Sequence, residues 1–288
     1  MMAGQVRRAD SLAFWRRQPH LLVRLLEILV PHGGIVALFE TYIDEGDSHD
    51  DAPALCVAAY LFETEKCKML DLEWKAVLDE FELPYFHMVD CVHLSKPFDK
   101  LSRDQSIEVE KRMIGIIRDH MLFGAATTVD ERDYDTWAAR HEIGTAYSYC
   151  CWQTIAAVNS WMNSNGLKGD MAYFFESGHD SAGETNAIMN AIAKNEDARQ
   201  ATRYATHAFV CKEKVRPIQT PDILAWLHAN HFKRVQRGFS NPRKDYVALV
   251  KDRPHKSFIA TRDTVDTALI NGHPQLDGYK PSWVKKTT

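Results

Sequence analysis

The stretch "ETYIDEGDSHDD", residues 40–51, places six carboxylates in twelve positions, directly after the apolar run "GGIVALF" at 33–39. Rich in β-branched and aromatic residues, "IVALFETYI" (35–43) reads as a strand. A strand that runs out into like charge has two readings. Its acids can face water in a turn, which Asp favours, or they can line a site for a hard cation, which prefers oxygen ligands. The choice depends on whether carboxylates arrive from elsewhere in the chain. Asp44 is the leading candidate ligand, with Glu45 beside it. Strand alternation, if it continues, points Glu45 to the opposite face.

Outward from this stretch the chain alternates strands with helices. "ALCVAAYLF" (54–62) is apolar enough for a central strand and forms a hairpin with the first. "CKMLDLEWKAVLDEF" (67–81) has helical spacing, and "YFHMVD" (85–90) reads as a short extended piece. A helix follows over 102–121, opened by a Ser102 cap. Then come a strand "LFGAATTV" (122–129), a buried helix over 146–162, and a strand "MAYFFE" (171–176) that again ends in a carboxylate. A helix over 181–196, a fifth strand "THAFVCKE" (206–213) and a helix "TPDILAWLHANHFKRVQ" (220–236) complete the series. This alternation implies an α/β fold, with a mixed sheet covered by helices on both faces. In such sheets ligands gather outside the carboxyl ends of strands, where Asp44 and Glu176 fall.

Bulk properties narrow the class. A 288-residue chain with 45% hydrophobic residues can bury a proper core. Its formal charge of -4 excludes a globally basic nucleic-acid binder but leaves room for a local basic surface. No run approaches the roughly 18 apolar residues of a membrane span, since "HLLVRLLEILV" (20–30) is broken by Arg24 and Glu27. That segment suits an amphipathic helix lying on the core or on a partner. The six cysteines show no C-x-x-C pair and no zinc-ribbon spacing, so disulfides are not expected and the protein reads as cytoplasmic.

A strand Asp (Asp44), a later strand Glu (Glu176) and an Asp in the first turn of a helix (Asp222) are the residue types of the ribonuclease-H-like acidic triad. Carboxylates suit Mg²⁺ or Mn²⁺, and two such ions about 4 Å apart can act on a phosphodiester. Five segments occur in order: "YIDEGD", "FHMVD", "GTAYSYCC", "YFFESGHDSAGE" and "PIQTPDILAW". Over residues 38–234 this succession resembles the domain of unknown function 3800 family. The chain departs from it in "IDEGD", where serine is commoner after the acids, and in the proline of "TPD". The resemblance implies a ribonuclease-H-like fold and a two-metal carboxylate site of Asp44, Glu45, Glu176 and Asp222, with Gln219 beside the last. The expected domains are a helical arm at 1–34, the ribonuclease-H-like domain at 35–238 and a basic C-terminal extension at 239–288.

Other groups have plainer readings beside the functional one. Alone, Asp222 would be a residue favoured by the helix dipole, and Glu176 before Ser-Gly a turn residue. His87, Asp90, Cys91 and His93 invite a zinc reading, but no second cluster stands at ligand spacing. His87 and Asp90 fit better as cleft residues that contact phosphate or orient a ligand carboxylate. His179 and Asp180 are candidates for a fourth ligand or a proton shuttle. Lys233, Arg234, Arg237, Arg243 and Lys244 form either a solvated face or a track for a phosphate backbone. The function expected is that of a metal-dependent nuclease acting on nucleic acid. The alternative is a non-catalytic module that binds nucleic acid or protein on the same fold.

Overall fold

A computed structural model describes residues 38–46, 54–136, 144–178 and 182–271. The expected helical arm at 1–34, the first residues of the first strand, and His179 and Asp180 lie outside these. All the described residues fall in one unit beginning at Leu38.

Six strands form one mixed sheet. They are β1 (Phe39–Gly46), β2 (Ala54–Glu63), β3 (Phe123–Asp130), β4 (Met171–Glu176), β5 (Tyr204–Val210) and β6 (His255–Ile259), in the order β5-β4-β1-β2-β3-β6. β2 runs antiparallel to both its neighbours, and every other pairing is parallel. The carboxyl ends of β1, β3, β4, β5 and β6 therefore share one edge. This is the ribonuclease-H-like sheet expected from the sequence. β6, for which the sequence suggested no strand, extends it beside β3.

Helices cover both faces, and strand alternation sorts the core between them. Ile43, Val57, Ala59, Ala125, Tyr173 and Phe175 meet helix α5 (Ala146–Ser164) and helix α6 (Ala182–Lys194). The opposite face presents Tyr42, Ala58, Tyr60, Phe62 and Ala126 to helices α1 (Thr64–Glu80), α3 (Arg103–His120) and α8 (Gln219–Gln236). β2 is buried on both sides, which explains its unbroken apolar run. α5 is apolar almost all round and correspondingly buried. Ser102 caps α3 with a full capping box: the Gln105 N–H donates to Ser102 Oγ at 3.2 Å, and the Ser102 N–H donates to Gln105 Oε1 at 2.9 Å.

One local expectation fails. "YFHMVD" is not extended to its end, because Met88–His93 forms a short helix, α2. Its first-turn Met88 N–H donates to Asp222 Oδ2 at 2.6 Å. The cap is thus a residue 134 positions away, which local spacing does not reveal. Between α3 and α8 lie α4 (Glu131–Tyr134), α5, α6 and α7 (Glu196–Ala201); α9 (Lys244–Val250) and α10 (Arg262–Asn271) follow α8.

The placement of α8 sets up the site. It crosses the sheet over β1, β2 and β3, where the facing side chains Cys56, Ala58 and Ala126 are small. At the end of β1 the approach is close. A Cβ on Gly46 would stand 2.8 Å from Ala225, so only glycine fits there without displacing the helix. Asp222 precedes Ala225 by three residues, on the same side of the helix, and is carried to the carboxyl end of β1.

Candidate functional site

β1 and β4 are adjacent and parallel, with Ile43 opposite Phe175. Tyr42 and Phe174 stack on the α8 face with centroids 4.9 Å apart and planes at 17°. Two residues further along each strand the side chains return to that face, so Asp44 and Glu176 stand side by side at the sheet edge. Neighbouring strands are about 4.8 Å apart. Asp222 reaches the same region from the first turn of α8. All three are buried, at 5%, 8% and 6% exposure respectively, a state carboxylates reach when they are paired.

Lys212 belongs to this group and was not among the residues singled out in the sequence. It lies two positions beyond β5, next to β4, and its Nζ is 2.9 Å from Glu176 Oε1. Burial pushes the Lys212 ammonium down. The hydrogen bond and charge of Glu176, then the charges of Asp222 and Asp44, outweigh that and hold it above its ordinary range. A cation on the chain itself therefore faces the three acids. Asp222 is shifted the other way. Burial raises its carboxyl above the usual range and Glu176 adds to this, while His87, the Met88 N–H and Lys212 oppose.

Gln219 organises what surrounds them. Its Oε1 accepts from Trp74 Nε1 at 2.7 Å and from the Phe86 N–H at 2.9 Å, and its Nε2 donates to the Lys212 carbonyl at 2.6 Å. One buried amide ties α1, the segment before α2 and the Lys212 backbone to the start of α8. His87 joins through its two ring nitrogens. Nδ1 is 2.9 Å from Asp90 Oδ2, and Nε2 is 3.7 Å from Asp222 Oδ1. Asp90 in turn accepts from Ser95 Oγ at 2.7 Å.

Glu45 stands at the same edge but on the other face of β1. The alternation of β1 continues to its end, so Glu45 points to the α5 side. Glu131 is raised above the usual carboxylate range by burial and by the charges of Asp135, Glu45 and Asp130. A depression at the sheet edge is lined by Asp44 and Glu176 together with Glu45, Tyr147, Ala182 and Thr185. On this side Glu184 accepts from the hydroxyls of Thr145 and Ser148.

The basic residues stand apart from the acids. Lys233 and Arg234 occupy the last turn of α8, and Lys233 is about 16 Å along the helix from Asp222 at 1.5 Å per residue. Arg237 and Lys244 are exposed. Arg243 forks onto Asp245, with Nε 3.0 Å from Oδ2, and lies 5.0 Å over the Trp226 ring. Arg234 lies 5.0 Å over Phe239.

In chemistry the donor set of Asp44, Glu176 and Asp222 suits a hard cation, and an ammonium already stands among these oxygens. In spacing the set is not a finished metal cage. Among the described residues no three His, Cys, Asp or Glu side chains converge closely enough to hold one ion. Nor is any helix among them long and apolar enough to cross a membrane.

Fold and edge together define a ribonuclease-H-like α/β protein with an acidic centre at the carboxyl ends of its first and fourth strands. No family model matches the chain, and no curated protein does. Among solved structures, a chain of the PCNA:RNase HII complex from Archaeoglobus fulgidus is similar at a TM-score of 0.36 and 12% identity. The match covers 87% of this chain and 97% of that one. At that level of likeness the fold assignment rests on the strand order and directions alone.

Proposed function

We propose that this chain is a metal-dependent phosphodiesterase of the nuclease kind, a member of the domain of unknown function 3800 family, acting on nucleic acid. The observation that carries the reading is the meeting of Asp44 and Glu176 on adjacent parallel strand ends, with Asp222 brought to them by the Gly46–Ala225 contact. Burying three acids together is costly, and a fold that does so without a use for them would be under pressure to replace them. Asp44, Glu176 and Asp222 are the residues that would hold Mg²⁺ or Mn²⁺. Bound there, the ions would supply Lewis acidity and neutralise charge developing on the phosphate.

The chain's own groups have distinct tasks. Glu176 and Asp222 flank Asp44. The Met88 N–H fixes one oxygen of Asp222, and His87, held by Asp90, stands beside the other. Lys233, Arg234, Arg237 and Lys244 offer charge to a phosphate backbone leaving the site along α8. Arg243 is committed to Asp245 and Trp226 and acts more as a brace.

The test is hydrolysis of single- and double-stranded DNA and RNA with Mg²⁺ or Mn²⁺ by wild type and Asp44→Asn. The reading expects metal-dependent cleavage by the first and none by the second. A second reading, a non-catalytic binding module, is favoured by one observation: Lys212 and the Met88 N–H already engage Glu176 and Asp222. Binding of nucleic acid without cleavage under any of these conditions would select it.

A further inference from the structure

We propose that Lys212 is a tethered cation that occupies the acidic centre in the metal-free protein and is displaced when a divalent ion binds. The inference rests on the metal-site reading above and adds a regulator that sets the affinity of that site.

Three features carry it. Lys212 Nζ lies 2.9 Å from Glu176 Oε1, and its charge is felt by Asp222. It therefore neutralises part of the charge that would otherwise repel across the three acids. Its backbone is pinned, since its carbonyl accepts from Gln219 Nε2 at 2.6 Å, while the side chain remains 28% exposed. A four-carbon stem on a fixed backbone can turn its ammonium out to water without disturbing the fold. Finally, the described acids do not converge into a cage. The one oxygen the ammonium holds, Glu176 Oε1, is an oxygen a divalent ion there would use.

Competition follows from the geometry. Glu176 Oε1 cannot serve both cations at full strength, so a metal ion that takes this oxygen must displace the lysine. Metal affinity is lowered by the cost of that displacement. Without metal the protein is stabilised by the same contact. Removing the charge while keeping the stem should reverse both effects, with the metal-binding gain about tenfold for a charge-assisted hydrogen bond at a partly exposed site.

The experiment is a calorimetric titration of the full chain with Mn²⁺ alone, for wild type and Lys212→Met, with melting temperatures measured with and without the ion. The proposal expects Lys212→Met to bind Mn²⁺ about tenfold more tightly and to melt lower than wild type in the absence of metal. A second measurement needs no variant. In wild type, Mn²⁺ should increase labelling of Lys212 by an amine-specific reagent, read by peptide mass spectrometry. Equal or weaker Mn²⁺ binding by Lys212→Met, or unchanged labelling of Lys212 at saturating Mn²⁺, overturns the tethered-cation proposal and leaves the metal site standing. Failure of both chains to bind Mn²⁺ overturns the metal-site reading itself, and Lys212 is then a permanent counter-ion.

Discussion

The two faces of the sheet edge carry similar acids and treat them differently. On the α8 face, Asp44, Glu176 and Asp222 meet an ammonium, a backbone N–H and a buried amide network. On the α5 face, Glu45 and Glu131 belong to one acidic group, and Glu184 takes hydroxyl donors from Thr145 and Ser148. Adjacent residues of one strand, Asp44 and Glu45, divide between these environments solely because a strand alternates. Hydroxyls satisfy lone pairs without neutralising charge, whereas Lys212 neutralises it. Among the described residues, then, the two faces differ in the donors that meet their acids, an ammonium on one side and hydroxyls on the other.

The largest stability effect should come from Gln219. Gln219→Leu leaves the Trp74 N–H, the Phe86 N–H and the Lys212 carbonyl without their partner. At about 1–3 kcal/mol per buried group left unpaired, with some relaxation, a loss of about 3 kcal/mol is expected in urea unfolding. A loss below about 1 kcal/mol would mean that this face is no more tightly built than the other.

Gly46→Ala comes next. Its new methyl would meet the Ala225 backbone and Cβ at 2.8 Å, so α8 must shift. Overpacking of this kind costs roughly 1–3 kcal/mol, and any displacement carries Asp222 away from Asp44. Chemical shifts of the Asp222 region should move with the loss of stability. A variant as stable as wild type, with an unmoved Asp222, would show that the contact does not set the site.

Acid should weaken the same face through His228, which is buried on α8 with Nδ1 2.6 Å from Thr128 Oγ1. Burial, aided by the charge of His231, pushes it down to about 4. The folded value lies below the unfolded one of roughly 6.5, so the unfolded chain binds the extra proton in between. This contribution is fully present above about pH 6.5 and is lost as pH falls toward 4. Between pH 7 and 5 it amounts to roughly 2 kcal/mol. His255, similarly lowered to about 4 chiefly by burial, acts in the same direction. Urea midpoints independent of pH over this range would contradict the burial of both.

The smallest effect belongs to the other face. Glu184→Gln keeps an oxygen for Thr145 and Ser148, and the change in stability should stay within about 1 kcal/mol.

Much of this architecture is legible in the sequence, and the exceptions share a cause. β1, β2, β3 and β4 announce themselves by apolar runs, and the strand-end rule points to Asp44 and Glu176. Asp222 is visible only through the order of motifs, since an Asp in a first helical turn is common. Lys212 has no local signal: it is one lysine in "VCKEK", and its meaning appears when β5 is laid beside β4. Gln219 could be placed near Asp222, but its work depends on residues 74, 86 and 212, distant in the chain. The helix at Met88–His93 was hidden for the same reason, its cap being supplied by Asp222. β6, five residues in a charged stretch, is half exposed and recruited by pairing with β3. What neighbours in sequence decide can be read from it; what neighbours in space decide needs the fold.

The central claim, that the α8 face of this edge is the cation site, is tested most directly by Mn²⁺-induced thermal shift of three chains: wild type, Asp44→Asn and Glu45→Gln. The account predicts a rise in melting temperature with Mn²⁺ for wild type and for Glu45→Gln, and none for Asp44→Asn. A shift retained in Asp44→Asn and lost in Glu45→Gln would place the cation on the opposite face and contradict it.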